Sequence, residues 1–120
     1  MDLPADRARS GLTSGVDDVL LALSTFPDAP TAERIARTLV NEKLAACANM
    51  TAPVRSIYRW QGNVEEAAEI LVFFKTTAAV WEKFAARLRE LHPYETPEII
   101  ALPITRGLPE YLRWVGESCA

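Results

Sequence analysis

His92 is the only histidine in the chain, so a metal site that uses imidazole must include it. Copper(II) is bound in proteins by imidazole nitrogen together with oxygen donors, and Glu95 follows His92 by three residues. Pro93 rules out helical spacing between these two side chains, so they need not converge on one ion. A histidine in the last turn of a helix is also stabilised by the helix C-terminus. A metal ligand and a helix-end residue are therefore both open roles for His92.

Lys75 follows a strongly apolar run, residues 70–74 (ILVFF), and a lysine at the end of a buried strand is unusual. It is a candidate anion contact. Apolar walls with a few convergent polar groups are typical of small-ligand pockets. The ligand-binding candidates are Tyr58, Trp60, Lys75, Tyr94 and Glu95, with His92, Tyr111 and Trp114 in the same polar–aromatic set. Tyrosine and tryptophan are also enriched at protein interfaces, and for Trp60 and Trp114 we favour the role of interface anchors.

The two cysteines, Cys47 and Cys119, form no CxxC pair, which favours a reduced, cytosolic setting. Cys47 lies in an apolar stretch and is interpreted as a buried inert thiol rather than a metal ligand. Cys119 is expected to be exposed. The sequence contains no GxSxG elbow, Walker loop, GxGxxG or HExxH motif, and offers no particular nucleophile for His92. We therefore do not expect an enzyme.

The pattern of apolar residues predicts the elements that position these side chains. Residues 16–24 form a first strand, and Asp28 caps a helix whose apolar stripe covers residues 32–44. An extended stretch at 46–60, a turn at 61–63 and a strand at 64–76 form a hairpin, and the apolar run at 70–74 suggests burial on both faces there. A second helix follows Thr77 and ends at Pro93, and a short strand at 97–103 precedes a helix at 107–117. This order predicts an α+β, ferredoxin-like split βαββαβ sandwich with an extra C-terminal helix.

The predicted hairpin is longer than the rest of the sheet. Its strands have about 10–12 residues each, whereas about 5–6 is usual. At about 3.3 Å per residue the hairpin reaches past the first and last strands. Its tip carries Tyr58, Trp60 and unpaired backbone edges, which pair readily with another chain. We therefore predict a homo-oligomer of closed symmetry.

The composition bounds the class of protein. The chain has 120 residues, of which 49% are hydrophobic and 24% charged, as expected for one globular domain. We assign this domain to residues 16–120 and expect a disordered leader at 1–15, which lacks the apolar core of a signal peptide. A net charge of −3 argues against nucleic-acid binding. No apolar stretch approaches the roughly 20 residues that a membrane span requires.

Five segments follow one another at spacings that resemble a known family. They are residues 42–48 (EKLAACA), 56–62 (SIYRWQG), 75–76 (KT), 91–97 (LHPYETP) and 99–104 (IIALPI). Together they closely resemble the CutA divalent-cation tolerance family, and residues 111–114 (YLRW) resemble its C-terminal helix. The resemblance implies a ferredoxin-like fold assembled as a homotrimer, with a role in tolerance of divalent metals, most often copper. It implies no established enzymatic reaction.

The resemblance also bears on the metal. Family members linked to copper carry a cysteine near the end of strand one and a second histidine just before His92. The matching positions here are Ser24 and Leu91, so the resemblance implies at most weak copper binding through His92. No cofactor is required. The family trimer is similar to that of the PII signalling proteins. The competing hypothesis is therefore a PII-like or ACT-like regulatory module. Such a module would hold a small anionic ligand in the cleft between subunits, with Lys75 as its anion contact.

Overall fold

The fold is built on one five-stranded antiparallel sheet, in a computed structural model that describes residues 18–120. The leader predicted at 1–15, like residues 16 and 17, lies outside the described residues. In chain order the elements are β1 (Val19–Phe26), α1 (Ala29–Asn41), β2 (Cys47–Met50), β3 (Val54–Trp60), β4 (Asn63–Thr77), a 3-10 turn (Ala78–Val80), α2 (Trp81–Leu91), β5 (Ile100–Pro103) and α3 (Pro109–Ser118). None of the helices in the described part is long and apolar enough to cross a membrane.

The strands lie in the order β2–β4–β1–β5, and β3 pairs with β4 further along the edge that β2 occupies. Strand β4 is therefore central, and it is antiparallel to β1, β2 and β3. Two split β–α–β units with both crossover helices on one face produce this order. The α+β, ferredoxin-like prediction is confirmed.

Helices α1 and α2 cover one face of the sheet. Asp28 begins α1, because its Oδ1 accepts a hydrogen bond from the backbone N–H of Thr31 at 2.8 Å. The apolar stripes of both helices pack on alternate residues of β1 and β4. The buried core contains Ala22, Phe26, Ala32, Ile35, Ala36, Leu39, Leu44, Ala45, Ile70, Val72, Phe74, Val80, Phe84 and Leu88.

The hairpin differs from the prediction in one respect, because its first strand is interrupted. Strands β2 and β3 are separated at residues 51–53, where Pro53 has no N–H to offer the ladder. Thr51 bridges the gap: its N–H donates to the Leu71 carbonyl at 2.9 Å, and its Oγ1 accepts from the Leu71 N–H at 3.2 Å. Strand β4 then runs for 15 residues from a tight turn in which Gln61 and Gly62 have φ of 49° and 83°.

The sheet face opposite α1 and α2 is largely uncovered. Side chains that pair directly across strands share a face, so the register defines this surface. We call it the open face; its apolar members are Leu21, Leu23, Leu71, Phe73, Ile100 and Leu102. Ile100 and Leu102 are 52% and 56% exposed. The prediction that residues 70–74 are buried on both faces is therefore wrong for Leu71 and Phe73, which are only partly buried.

Helix α3 covers only one end of this sheet, where Val115 packs against Val19 and Ala46. The segment after α3 turns back, and the N–H of Ala120 donates to the Lys43 carbonyl at 3.0 Å. Cys119 is consequently partly buried against both apolar clusters, and not exposed as expected. This burial raises the pKa of its thiol, so the thiol is a poor nucleophile.

Candidate functional site

His92 sits where α2 ends and is only 7% exposed. Its Nε2 donates to the Thr25 carbonyl of β1 at 2.8 Å, and its Nδ1 accepts the backbone N–H of Tyr94 at 3.1 Å. The imidazole stacks on Phe26, with ring centroids 4.7 Å apart and planes 19° apart. These two hydrogen bonds specify the neutral tautomer with its proton on Nε2.

The surroundings of His92 favour the neutral ring. Burial lowers the pKa of the imidazole, against smaller opposing effects of the Thr25 carbonyl and the Glu69 carboxylate. Both ring nitrogens already have protein partners, so a metal ion would have to displace one of them. No cluster of three histidine, cysteine or acidic side chains suited to a metal occurs within residues 18–120. In a single chain, His92 is therefore first a structural residue.

Tyr94 joins the loop after α2 to the long strand β4. Its hydroxyl donates to Oε2 of Glu69 at 2.7 Å, and its ring lies 4.8 Å from that of His92. Burial, followed by the bond to Glu69, raises the pKa of the phenol, with a smaller contribution from Tyr58. The phenol therefore stays protonated at neutral pH. It acts as a donor that fixes the loop against the base of the hairpin.

Lys75 belongs to a different group of side chains at the other end of β4. Its cross-strand neighbours are Leu21 on β1 and Cys47 on β2, and its ammonium donates to Oδ1 of Asn49. The Cys47 sulfur lies 4.0 Å from the same Asn49 oxygen and 3.8 Å from the hydroxyl of Tyr111 on α3. Cys47 is thus a partly buried strand residue in a polar cluster, which differs from the buried inert thiol of the prediction.

The structure does not bring all the predicted ligand-binding residues together in one chain. Glu69, which holds Tyr94, and Lys75 are six positions apart on β4, or about 20 Å along an extended strand. Glu95 is exposed on the loop, and Tyr58 and Trp60 are exposed on the hairpin. The candidates therefore divide into a His92–Tyr94 group and a Lys75 group.

Several residues of these two groups were not identified from the sequence. Glu69 lies an even number of residues before Lys75 on one strand, so the alternation of side chains could have predicted that both lie on the same face. Asn49 offered no such signal, since its contact with Lys75 depends on the register between β2 and β4. The contact of His92 with Thr25 likewise joins residues 67 positions apart.

Ser24 lies near the end of β1, at the position that the family resemblance singled out. It is fully buried on the helix-covered face, and its hydroxyl has no hydrogen-bond partner within residues 18–120. Burying a hydroxyl without a partner costs about 1–3 kcal/mol. Nothing else in the described part of the chain presents such an unpaired buried side-chain group.

We expect Ser24→Ala to raise the free energy of unfolding by about 1 kcal/mol, because the unpaired hydroxyl is removed and only a small void replaces it. Urea unfolding measures the change. Thr76→Val is the matched control: Thr76 is equally buried, but its hydroxyl donates to the Leu44 carbonyl at 2.7 Å. This control should lose about 1 kcal/mol. A loss of stability in both variants would contradict the assignment of Ser24.

Comparison with known proteins bears on this arrangement. A family model described as CutA1 divalent ion tolerance protein matches residues 20–118, which contain both groups of side chains. The chain belongs to the CutA family. The divalent-cation tolerance protein CutA of Thermus thermophilus is 48% identical over 98 residues, which cover 82% of this chain and 95% of that protein.

Solved CutA structures have the same fold. The divalent cation tolerance protein of Thermus thermophilus superposes with a TM-score of 0.83 at 46% identity, covering 85% of this chain and 99% of that one. A protein of Archaeoglobus fulgidus, described as a periplasmic divalent cation tolerance protein CutA, gives a TM-score of 0.80 at 38% identity, covering 83% and 97% of the two chains. CutA proteins thus include one described as periplasmic.

Proposed function

We propose that this CutA-family chain is a non-enzymatic cytoplasmic homotrimer that contributes to tolerance of divalent metal ions, with copper as the ion to test. The matched relatives are described as divalent-cation tolerance proteins, and the match extends over nearly all described residues. The observation that carries the assembly is the open face, an apolar sheet surface of which helix α3 covers only one end. Contiguous exposed apolar surfaces of this kind mark protein–protein contacts.

The sheet edges support a closed ring of chains, for which the family resemblance implies three members. Strand β3 pairs only with β4, and β5 pairs only with β1, so each of them has one free edge within residues 18–120. An unpaired edge is a template for pairing with another chain. Contacts between two different edges are head-to-tail, and they terminate when the ring closes. Such an assembly would also cover the open face of each chain.

Weak copper binding is proposed at His92. Copper would bind at Nδ1, because displacing the Tyr94 N–H from this nitrogen leaves the bond between Nε2 and the Thr25 carbonyl of β1 intact. Displacing the Tyr94 N–H costs one hydrogen bond. The chain has no second imidazole, and no cluster of three metal-binding side chains occurs within residues 18–120. Neighbouring subunits would have to supply further donors, which is consistent with a weak site.

Equilibrium dialysis against copper(II) tests this site. We expect saturable uptake of at most one ion per chain in the wild type and loss of this uptake in His92→Asn, because the only imidazole is removed. Cys47→Ser is the matched control and should retain the wild-type uptake, since copper(II) prefers imidazole to thiol. Circular dichroism establishes that each variant is folded. Equal uptake by His92→Asn and the wild type would exclude His92 as the copper ligand.

A second candidate function rests on Lys75. Its ammonium has no carboxylate partner within residues 18–120; its only hydrogen bond there is to the neutral amide of Asn49. A partly buried cation without a counter-ion is suited to hold an anion. This favours a regulatory module, PII-like or ACT-like, that holds a small anionic ligand in the cleft between subunits.

A further inference from the structure

The surroundings of Lys75 restrict the anion that it can hold. Lys75 is partly buried on the same sheet face as Leu71 and Phe73, between Leu21 and Cys47 on the adjacent strands. An ammonium has three donors, and the Asn49 oxygen takes one of them. The other two donors have no partner within residues 18–120, and one amide dipole does not neutralise the charge. The bond between Lys75 and Asn49 is exposed, so an anion can reach the two remaining donors from solvent.

We propose that Lys75 binds the carboxylate group of a small molecule, with the hydroxyl of Tyr111 as a second donor to the same group. This inference rests on the second candidate function and names the chemical class of its ligand. Cys47 links the two donors, because its sulfur is 3.8 Å from the Tyr111 hydroxyl and 4.0 Å from the Asn49 oxygen that Lys75 holds. The Asn49 oxygen occupies the position that a carboxylate oxygen takes over when the ligand binds.

The charges of this cluster favour a carboxylate over a phosphate. Phosphates are usually held by arginine forks, by several cations, or by backbone N–H groups at a glycine-rich helix N-terminus. The cluster contains one cation, Lys75, and its other donors are the neutral phenol of Tyr111 and the weak thiol donor of Cys47. Burial raises the pKa of Tyr111, so its phenol remains a donor at neutral pH. A singly charged group matches this set.

Asn49 competes with the ligand in this arrangement. While Lys75 donates to the Asn49 oxygen, a carboxylate must displace that oxygen to reach the ammonium. Removing the amide should therefore strengthen binding, whereas removing the ammonium should weaken it strongly. A purely structural pair of Lys75 and Asn49 would not give these opposite signs. The two substitutions thus separate a ligand site from a stabilising contact.

Acetate is the probe, titrated at constant ionic strength against sodium chloride. Trp114 reports binding, because its ring centroid is 5.5 Å from that of Tyr111, and the replacements Trp60→Phe and Trp81→Phe make it the only tryptophan. We expect a saturable change in Trp114 fluorescence. Relative to this background, Lys75→Met should weaken binding at least tenfold, Tyr111→Phe roughly fivefold, and Asn49→Ala should strengthen it roughly fivefold.

Amide chemical shifts of Cys47 and Asn49 provide a second measurement on the wild-type chain, without tryptophan replacement. Inorganic phosphate is titrated in parallel. A stronger response to phosphate than to acetate would overturn the carboxylate assignment and leave the anion-binding function standing. No response to either anion would overturn both. An unchanged acetate response in Lys75→Met would also overturn the site. So would the absence of an acetate response in the wild type combined with a lower sedimenting mass of Lys75→Met, because a neighbouring chain would then supply the counter-ion. None of these outcomes bears on copper at His92.

Discussion

Replacing His92 with alanine is expected to lower the free energy of unfolding by about 3 kcal/mol. The substitution leaves the Thr25 carbonyl and the Tyr94 N–H without their partners and removes the ring that stacks on Phe26. All of these groups lie at the junction of β1, α2 and the following loop. Urea unfolding at a fixed protein concentration measures the loss, since the stability of an oligomer depends on concentration.

The same residue should make the protein sensitive to acid. Because the pKa of folded His92 lies below its usual value of about 6.5, the unfolded chain binds the proton more readily. The stabilisation from neutral His92 is therefore complete above pH of about 6.5 and falls as the pH drops through that value towards the folded pKa. Protonation also places a hydrogen on Nδ1, where Tyr94 donates. Acid and the alanine substitution thus disrupt the same contact, the hydrogen bond from the Tyr94 N–H to Nδ1 of His92.

Tyr94→Phe is the matched control for both effects. It removes the bond to Glu69 but keeps the backbone N–H that donates to His92. The dependence of stability on pH that His92 causes should therefore remain. His92→Asn should lose it, because asparagine does not titrate. The measurement is the difference in unfolding free energy between pH values of about 5 and about 8 for the three chains, on either side of the ordinary histidine pKa. An equal difference in His92→Asn and the wild type would show that His92 does not cause the acid sensitivity.

The element order, the capping by Asp28 and the fold class were predictable because each depends on local patterns. A capping side chain acts within three residues, and the apolar stripe of α1 repeats within one helix. The interruption of the hairpin strand was also within reach, since Pro53 cannot donate to a ladder. The apolar pattern predicted one extended stretch over residues 46–60, and the structure divides it into two strands.

The site was less predictable because its contacts join distant parts of the chain. The environment of His92 is created by Thr25 and Phe26 at the end of β1, and only the folded loop brings them together. Asn49 reaches Lys75 through the register of two strands. Residue types therefore identified His92 and Lys75 as unusual, but they did not show which groups would contact these two side chains.

The open face shows a third limit of sequence reasoning. The run at residues 70–74 suggested burial on both faces, and alternation along β4 indicates only which side chains share a face. The helix-covered side, including Val72 and Phe74, is buried, whereas Leu71 and Phe73 remain partly exposed in the single chain. An apolar sequence on both faces with only one face covered is what a subunit of an oligomer should show.

Phe73→Glu is accordingly expected to convert the proposed trimer into single chains. Phe73 lies at the centre of the open face, directly across from Leu23 on β1 and Asn49 on β2. A carboxylate there would be taken out of water beside Lys75, which lies two residues along the same face; even with this partner the cost is about 2 kcal/mol for each chain. The proposed ring contains three such chains, so the assembly would lose about 6 kcal/mol, roughly a 10⁴-fold change in its equilibrium constant. Analytical ultracentrifugation measures the mass.

Ala86→Glu is the matched control, since it adds the same charge at an exposed position on α2, in the helix layer on the opposite face. The wild type and this control should sediment at three times the mass of the chain, and Phe73→Glu at the mass of one. Phe73→Leu should remain trimeric, because it keeps an apolar side chain of similar reach. If Phe73→Glu still sediments as a trimer, the open face is not the contact between subunits. The free edges of β3 and β5 would then have to hold the ring together, and the apolar side chains between them would need another partner.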